Sequence, residues 1–233
     1  MTKEYNRNGI FLRKIRSFVS RNRKLSSNKY DFINKNWSKF GINFQSSYLD
    51  MNSIFCSYSP VVLEIGFGMS DSFFKTALNN MSKNFLGIEV HLPGVISCLQ
   101  NINLYCLKNI RIIYHDAVEV LNSMIDNSSL SKVQMFFPDP WPKKRHQKRR
   151  IFTKNFAQLI LKKLIPNGIL HISTDCKSYA EQIITIIRDI DRCIISFQKN
   201  IYISKSISRP ITKFEQRGIN LGNTIFDLIF KLV

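Results

Sequence analysis

An α/β fold, with a mostly parallel sheet, helices on both faces and a C-terminal edge strand, is predicted by three observations. Five short apolar runs recur from residue 60 onward, each followed by a stretch with helical spacing. A glycine turn, Gly66-Phe67-Gly68, follows the first run directly. Acids stand at or beside the ends of the first four runs: Glu64, Glu89, Asp116 and Asp139. Alternating strand and helix implies parallel strands joined by crossover helices.

In chain order, the expected strands are VVLEI (61–65), FLGIEV (85–90), IRIIYH (110–115), VQMFF (133–137) and GILHIS (168–173). Helical spacing fills the gaps at 71–81, 92–107, 117–126, 153–164 and 178–190. The segment KLIPNG places Pro166 and Gly168 where a helix must stop before a strand begins. The last run, TIFDLIFKLV (224–233), alternates imperfectly and is expected as the closing edge strand. No repeat and no low-complexity linker interrupts the pattern, so residues 41–233 are expected to form one domain.

Residues 1–40 differ in character. They hold eleven Lys or Arg against two acids, a net +9. Ile10, Phe11, Ile15, Phe18 and Val19 form only a short helical stripe. The span is expected to be a basic N-terminal arm, with a solvated tail as the plainer alternative.

Charge narrows the partner. The whole chain carries 34 basic and 16 acidic residues, or +18. Such a surface attracts polyanions, nucleic acid before anionic membrane. No apolar run reaches the ~18 residues of a membrane span, and Arg13, Lys14 and Arg16 break the only early apolar stretch, so no membrane association and no secretory signal are expected. The five cysteines are odd in number and form no C-x-x-C pair, and the four histidines show no ligand spacing. Reduced thiols, a cytoplasmic location and no metal are expected.

The acids select a cofactor. In a doubly wound sheet, ligands bind beyond the carboxyl ends of the strands. Gly66 and Gly68 allow a tight turn and close backbone approach. A dinucleotide pyrophosphate would be repelled by carboxylates there, and the third glycine of a dinucleotide fingerprint is absent. S-adenosylmethionine carries no phosphate, a positive sulfonium and a positive amine. A carboxylate ending the second strand can accept from ribose hydroxyls, and one after the third can accept from the adenine amine. Glu64 and Asp116 could each merely cap a helix; all four acids doing only that is the poorer account.

The segment PDPWPKKRHQKRR (138–150) sets one acid between prolines and follows it with six Lys or Arg in eight residues. That pairing points to an acid working on a polyanion. Together with LEIGFGMSDSF (63–73), FLGIEVHLPGV (85–95), YHDAVEVL (114–121), HISTDCKSYAEQ (171–182) and RPITKFEQRG (209–218), it resembles the bacterial tRNA (guanine-N7)-methyltransferases. The resemblance runs from RSFV (16–19) almost to the C-terminus. It departs from the family pattern at Ser70, where a further glycine is usual, and at Pro142, Cys176, Asn220, Asn223 and Phe226.

The resemblance implies a Rossmann-like class I methyltransferase domain. It implies transfer of a methyl group to N7 of the variable-loop guanine, position 46 in tRNA numbering. Glu64, Gly66, Gly68, Glu89, Asp116 and Asp139 are then expected at S-adenosylmethionine, with Asp139 also the active-site acid. Lys143, Asp175, Thr212, Lys213, Phe214 and Glu215 are expected on the substrate. Arg145, His146, Gln147, Lys148, Arg149 and Arg150 are expected on RNA. Either Glu215 or Asp175 would accept from guanine N1–H and N2–H. The protein is expected to act as a monomer or homodimer. Two alternatives stay open: another RNA methyltransferase of the same fold, acting on an exocyclic amine, and a non-catalytic basic RNA-binding protein. The first usually carries an Asn- or Asp-Pro-Pro-aromatic block, unlike the Pro-Asp-Pro-Trp found here.

Overall fold

A computed structural model of the chain describes residues 26–190 and 209–232. Seven strands form one sheet, in the order β1-β4-β3-β2-β5-β6-β7. The strands are β1 (Gly41–Ile42), β2 (Val61–Ile65), β3 (Asn84–Glu89), β4 (Ile110–Tyr114), β5 (Leu130–Phe136), β6 (Leu164–Thr174) and β7 (Phe226–Lys231). All neighbours are parallel except β6 and β7, which are antiparallel. The chain steps outward from β2 through β3 to β4, then crosses back to β5 on the other side of β2. The carboxyl ends of β2 and β5 therefore flank the switch point, where such sheets bind ligands.

The helices are α1 (Ser27–Phe40), α2 (Met51–Phe55), α3 (Asp71–Leu78), α4 (Leu92–Leu104), α5 (Ala117–Ser123), α6 (Lys154–Lys163), α7 (Lys177–Arg188) and α8 (Lys213–Asn220). Alternation along each strand divides the core in two. Leu63, Ile65, Met135 and Ile172 face α5, α6 and α7 through Val120, Leu121, Phe156, Ile160, Ile183 and Ile187. Val62, Phe85, Ile110 and Ile112 face α3 and α4 through Phe73, Phe74, Val95, Leu99 and Ile102. Burying one such side chain contributes roughly 1.5–3 kcal/mol, so the two layers fix which way every strand faces.

The five expected strands and helices are present, with ends shifted by a few residues. The largest difference is β6, which begins at Leu164 rather than at residue 168. Leu164 pairs with Leu130, and the next pairing is Ile169 with Lys132. The residues between bulge out, with Asn167 in the left-handed region at φ 64° and Pro166 lacking a backbone donor.

Three helices lie where no helix was expected. α1 falls inside the span 1–40, and its Phe32, Ile33, Trp37 and Phe40 pack against the second core layer. The first 25 residues, including the stripe at Ile10–Val19, lie outside the described residues, as does Cys193. α2 is capped by Asp50, which accepts from the N–H groups of Asn52 and Ser53. α8 opens with a capping box between Thr212 and Glu215. Among the described residues no helix is long and apolar enough to cross a membrane, and no cluster of three or more His, Cys, Asp or Glu could hold a metal ion.

Candidate active site

The glycine turn follows β2 because its backbone needs positive φ. Gly66 has φ 75° and Gly68 has φ 55°. A side chain built on either would meet nothing within 4 Å, so the turn presents an open face. The opposite side is tight. A Cβ on Gly94, in α4, would lie 2.0 Å from the carbonyl oxygen of Gly68. Ser70 ends the turn at φ 68° and is fully buried. It thus holds the left-handed conformation that glycine favours, at a cost of about 1–2 kcal/mol for an L residue. Its hydroxyl accepts from Asn101 Nδ2 at 3.4 Å.

Glu89 closes β3 and binds the turn from the side. Its Oε2 accepts from the Gly68 N–H at 2.7 Å, and its Oε1 accepts from Val90 and His91 at 2.7 and 2.9 Å. Burial raises its carboxyl above the usual range, against the lowering effect of these three donors. Glu64 lies inside β2, 3% exposed, and accepts from Gln134 Nε2. Burial pushes it up to about 7, with the Gln134 bond acting the other way. Asp116 caps α5 through Oδ1, which accepts from Val118 and Glu119; Oδ2 has no partner among the described residues. The capping role thus engages only one of its two oxygens.

Asp139 lies two residues beyond a sharp turn at the end of β5. Phe137 has φ 52° and Trp141 has φ 42°, so left-handed residues bracket the acid. The Phe137 N–H donates to the Ser173 carbonyl at 2.8 Å, which ties the turn to β6. The Asp139 side chain is exposed at the rim and has no partner among the described residues. The protein beside it still raises its carboxyl above the usual range by desolvation.

The basic run forms a 3₁₀ helix at Lys144–Arg149. Lys143, Lys144, Arg145 and Lys148 are exposed, and His146, Gln147 and Arg149 partly so. The Arg149 guanidinium lies 4.9 Å over the Trp141 ring. Arg150, expected on RNA, is instead 3% exposed. Its guanidinium donates to Pro140 O at 2.8 Å, Gln182 Oε1 at 2.6 Å and Ser178 Oγ at 3.1 Å, and covers the Tyr179 ring. It anchors the Pro-Asp-Pro segment to α7 and has no surface to offer a phosphate.

The segment 209–215 meets the glycine turn's helix. Ser72 Oγ donates to Pro210 O at 3.3 Å, and Lys213 Nζ lies 2.7 Å from Asp71 Oδ2. Phe214 is 61% exposed. Glu215, expected on the substrate, points inward: it is 4% exposed and is held by Arg209 Nη1 and the Thr212 N–H. Thr212 Oγ1 in turn accepts from the Glu215 N–H, so both residues are engaged in starting α8. Asp175, after β6, is partly exposed, and its Oδ2 accepts from Asn223 Nδ2 at 3.1 Å.

Sequence reasoning overlooked the group beneath these residues. Arg209, His171, Ser173 and Asp227 form a buried polar cluster with Glu215. A signal existed. His171 and Ser173 recur at period two in a strand whose other face is apolar, which marks a polar lane on one side of the sheet.

This arrangement fits S-adenosylmethionine. The turn is open on one side, Glu89, Asp116 and Asp139 stand at or just beyond the ends of β3, β4 and β5 with Glu64 one residue inside β2, and no basic residue lies within the turn to neutralise a pyrophosphate.

Comparison with known proteins agrees. A family model described as "Putative methyltransferase" matches residues 58–228. The chain is 49% identical over 230 residues to a tRNA (guanine-N(7)-)-methyltransferase of Buchnera aphidicola subsp. Baizongia pistaciae, covering 99% of this chain and 95% of that protein. It is 46% identical over 233 residues to one of the same name from Vibrio vulnificus, covering 100% and 98%. The solved structure of the 16S rRNA methyltransferase KamB shares the fold, with a TM-score of 0.55 at 10% identity over 80% of this chain and 94% of that one.

Proposed function

The chain belongs to the tRNA (guanine-N7)-methyltransferase family, and from that membership we propose that it methylates N7 of the variable-loop guanine of tRNA in the cytoplasm. The observation that carries the site assignment is the free carboxylate of Asp139. It is fixed between two left-handed residues after β5, the neighbour of β2 at the switch point, and just before the exposed basic helix.

S-adenosylmethionine supplies a methyl group on a positively charged sulfur, activated for displacement. Glu89 and the free oxygen of Asp116 would hold its ribose and adenine, and Glu64 with the turn its aminoacyl end. Guanine N7 already bears a lone pair, so the chain need provide no general base. Its task is alignment, which can supply up to ~7–11 kcal/mol. The rigid turn around Asp139 serves that alignment. Its anionic carboxylate also offsets the positive charge that develops on the base.

Lys143, Lys144, Arg145 and Lys148 would hold backbone phosphates, and the exposed Phe214 ring would stack on a base. With Glu215 turned inward, Asp175 is the acid we assign to the guanine N1–H and N2–H donors. Adenine also has an N7, so specificity must be read elsewhere on the base.

The test uses unmodified tRNA transcripts carrying guanine, inosine or adenine at the variable-loop position, labelled cofactor and nucleoside analysis. Guanine should yield 7-methylguanosine and adenine nothing. Inosine lacks the 2-amino donor and should lose on the order of 1–3 kcal/mol in kcat/KM, a gap that Asp175→Asn narrows. Label entering a guanine elsewhere in the tRNA would refute the proposed position.

A further inference from the structure

Arg209 is an arginine that no part of the transfer chemistry requires, yet it sits where the two halves of the site meet. Its side chain is 4% exposed. One end of the guanidinium, Nη1, donates to Glu215 Oε2 at the start of α8. The other end, Nη2, donates to both oxygens of Asp227 on β7, at 3.1 and 3.2 Å. Its flat face lies 4.8 Å from the Phe136 ring centroid and 6.0 Å from that of Phe137. Those two residues lead directly into Pro138 and Asp139.

The anchor on β7 is itself fixed. Asp227 accepts from Ser173 Oγ and lies 3.0 Å from His171 Nε2. Burial raises its carboxyl, but His171, the Arg209 charge and Ser173 outweigh that and hold it at about 2. The backbone carbonyl of Ser173 receives the Phe137 N–H. One residue of β6 thus secures both the arginine's anchor and the turn that carries Asp139.

We propose that Arg209 is a positioning residue that sets the Asp139 turn and the substrate helix α8 in one fixed relation. The inference rests on the assignment of Asp139 and α8 to the transfer site. Only a planar fork can bridge two carboxylates while covering a ring; a lysine ammonium is a single point charge. The arrangement is also not the one that stability alone selects. Arg209 Nε is buried with no partner among the described residues, and a buried unpaired donor is unfavourable. Through Ser72 and Pro210, and through Asp71 and Lys213, the same segment touches the helix that begins at the glycine turn. Displacing Arg209 would therefore shift alignment while leaving every direct interaction with either substrate in place.

The experiment compares the full chain with Arg209→Lys and Arg209→Ala. It measures kcat and KM on tRNA transcript, the Kd for S-adenosylmethionine and thermal unfolding. A misalignment of about 1 Å can cost ~100-fold, so kcat should fall by about that factor in Arg209→Ala, with the cofactor Kd little changed. Arg209→Lys should fold and still lose most of kcat. Added guanidinium, at a concentration that does not unfold the protein, should restore part of kcat in Arg209→Ala. Near-parental kcat in Arg209→Lys overturns the inference. So does a loss in both variants that tracks the unfolded fraction and ignores guanidinium. If Arg209→Ala does not fold, Arg209→Lys alone decides. A parent protein that makes no 7-methylguanosine overturns the reading of function, and this inference with it; a fully active Arg209→Lys overturns the inference alone.

Discussion

The Gly68 N–H donates to Glu89 Oε2 at 2.7 Å, so the acid that ends β3 holds the turn that follows β2. Glu89 thus shapes the glycine turn, and on the proposed function it has a second task, accepting from the cofactor. Glu89→Ala should raise the Kd for S-adenosylmethionine by roughly 1.5–3 kcal/mol, the range for charge-assisted hydrogen bonds. Because three backbone donors lose their acceptor, the melting temperature should fall as well. Binding of tRNA alone, followed by filter retention, should hardly change. Equal weakening of both ligands would show that Glu89 serves the fold alone.

Ser70 occupies a left-handed position usually filled by glycine. Relief of its strain is about 1–2 kcal/mol, less about 0.4–1 kcal/mol for the added freedom of glycine in the unfolded chain. Both Ser70→Gly and Ser70→Ala remove the acceptor of the Asn101 amide, but only Ser70→Ala keeps the strain, so Ser70→Gly should be the more stable of the two by up to about 1.6 kcal/mol in urea unfolding. If Ser70→Gly destabilises as much as Ser70→Ala, the hydroxyl matters more than the backbone.

Glu64 gives stability a pH dependence. Burial pushes its carboxyl from 4.5 up to about 7 in the folded state. The contribution of the protonated form is fully present below about 4.5 and is lost as pH rises through about 7. Glu64→Gln keeps a neutral group at every pH. The stability of the parent relative to Glu64→Gln should therefore fall by roughly 3 kcal/mol across that window. A difference that stays flat with pH would mean that the carboxylate is already ionised in the fold.

The basic run divides by burial. Replacing exposed Lys143, Lys144, Arg145 and Lys148 with glutamine should flatten the plot of log K against log salt by about 0.7–0.9 for each phosphate that is no longer neutralised. Arg150→Ala should leave that slope unchanged. It should instead lower stability by roughly 2–4 kcal/mol, because the Pro140 carbonyl and the Gln182 amide oxygen lose a charged donor. A reduced slope in Arg150→Ala would return that residue to the RNA surface.

What could be read in advance follows a physical division. Strand and helix order was readable because β2, β3 and the last four residues of β5 are mostly apolar and buried on both faces, and such runs report burial directly. The positions of Glu64, Glu89, Asp116 and Asp139 followed from strand ends, which topology brings to one edge. Side-chain direction did not follow. Arg150 and Glu215 read as surface charges, but each is turned inward by a charged or polar partner, Gln182 of α7 for one and Arg209, just before α8, for the other. The start of α8 was hidden because its capping box lies within a motif read for chemistry. Ser70 was legible as a departure, but its cost depends on a backbone angle that no composition records.

On the proposed function, the Asp139 carboxylate, held in its turn, serves the methyl transfer to guanine N7. The direct measurement is single-turnover formation of 7-methylguanosine on saturating unmodified tRNA, for the parent and for Asp139→Asn, with tRNA affinity measured alongside. The amide keeps the shape and removes the charge. The rate should fall by about 100-fold or more, in line with the loss of one electrostatic contributor to a transition state, while tRNA binds with near-parental affinity. An Asp139→Asn protein that methylates guanine at close to the parental rate would show that the carboxylate has no part in the transfer.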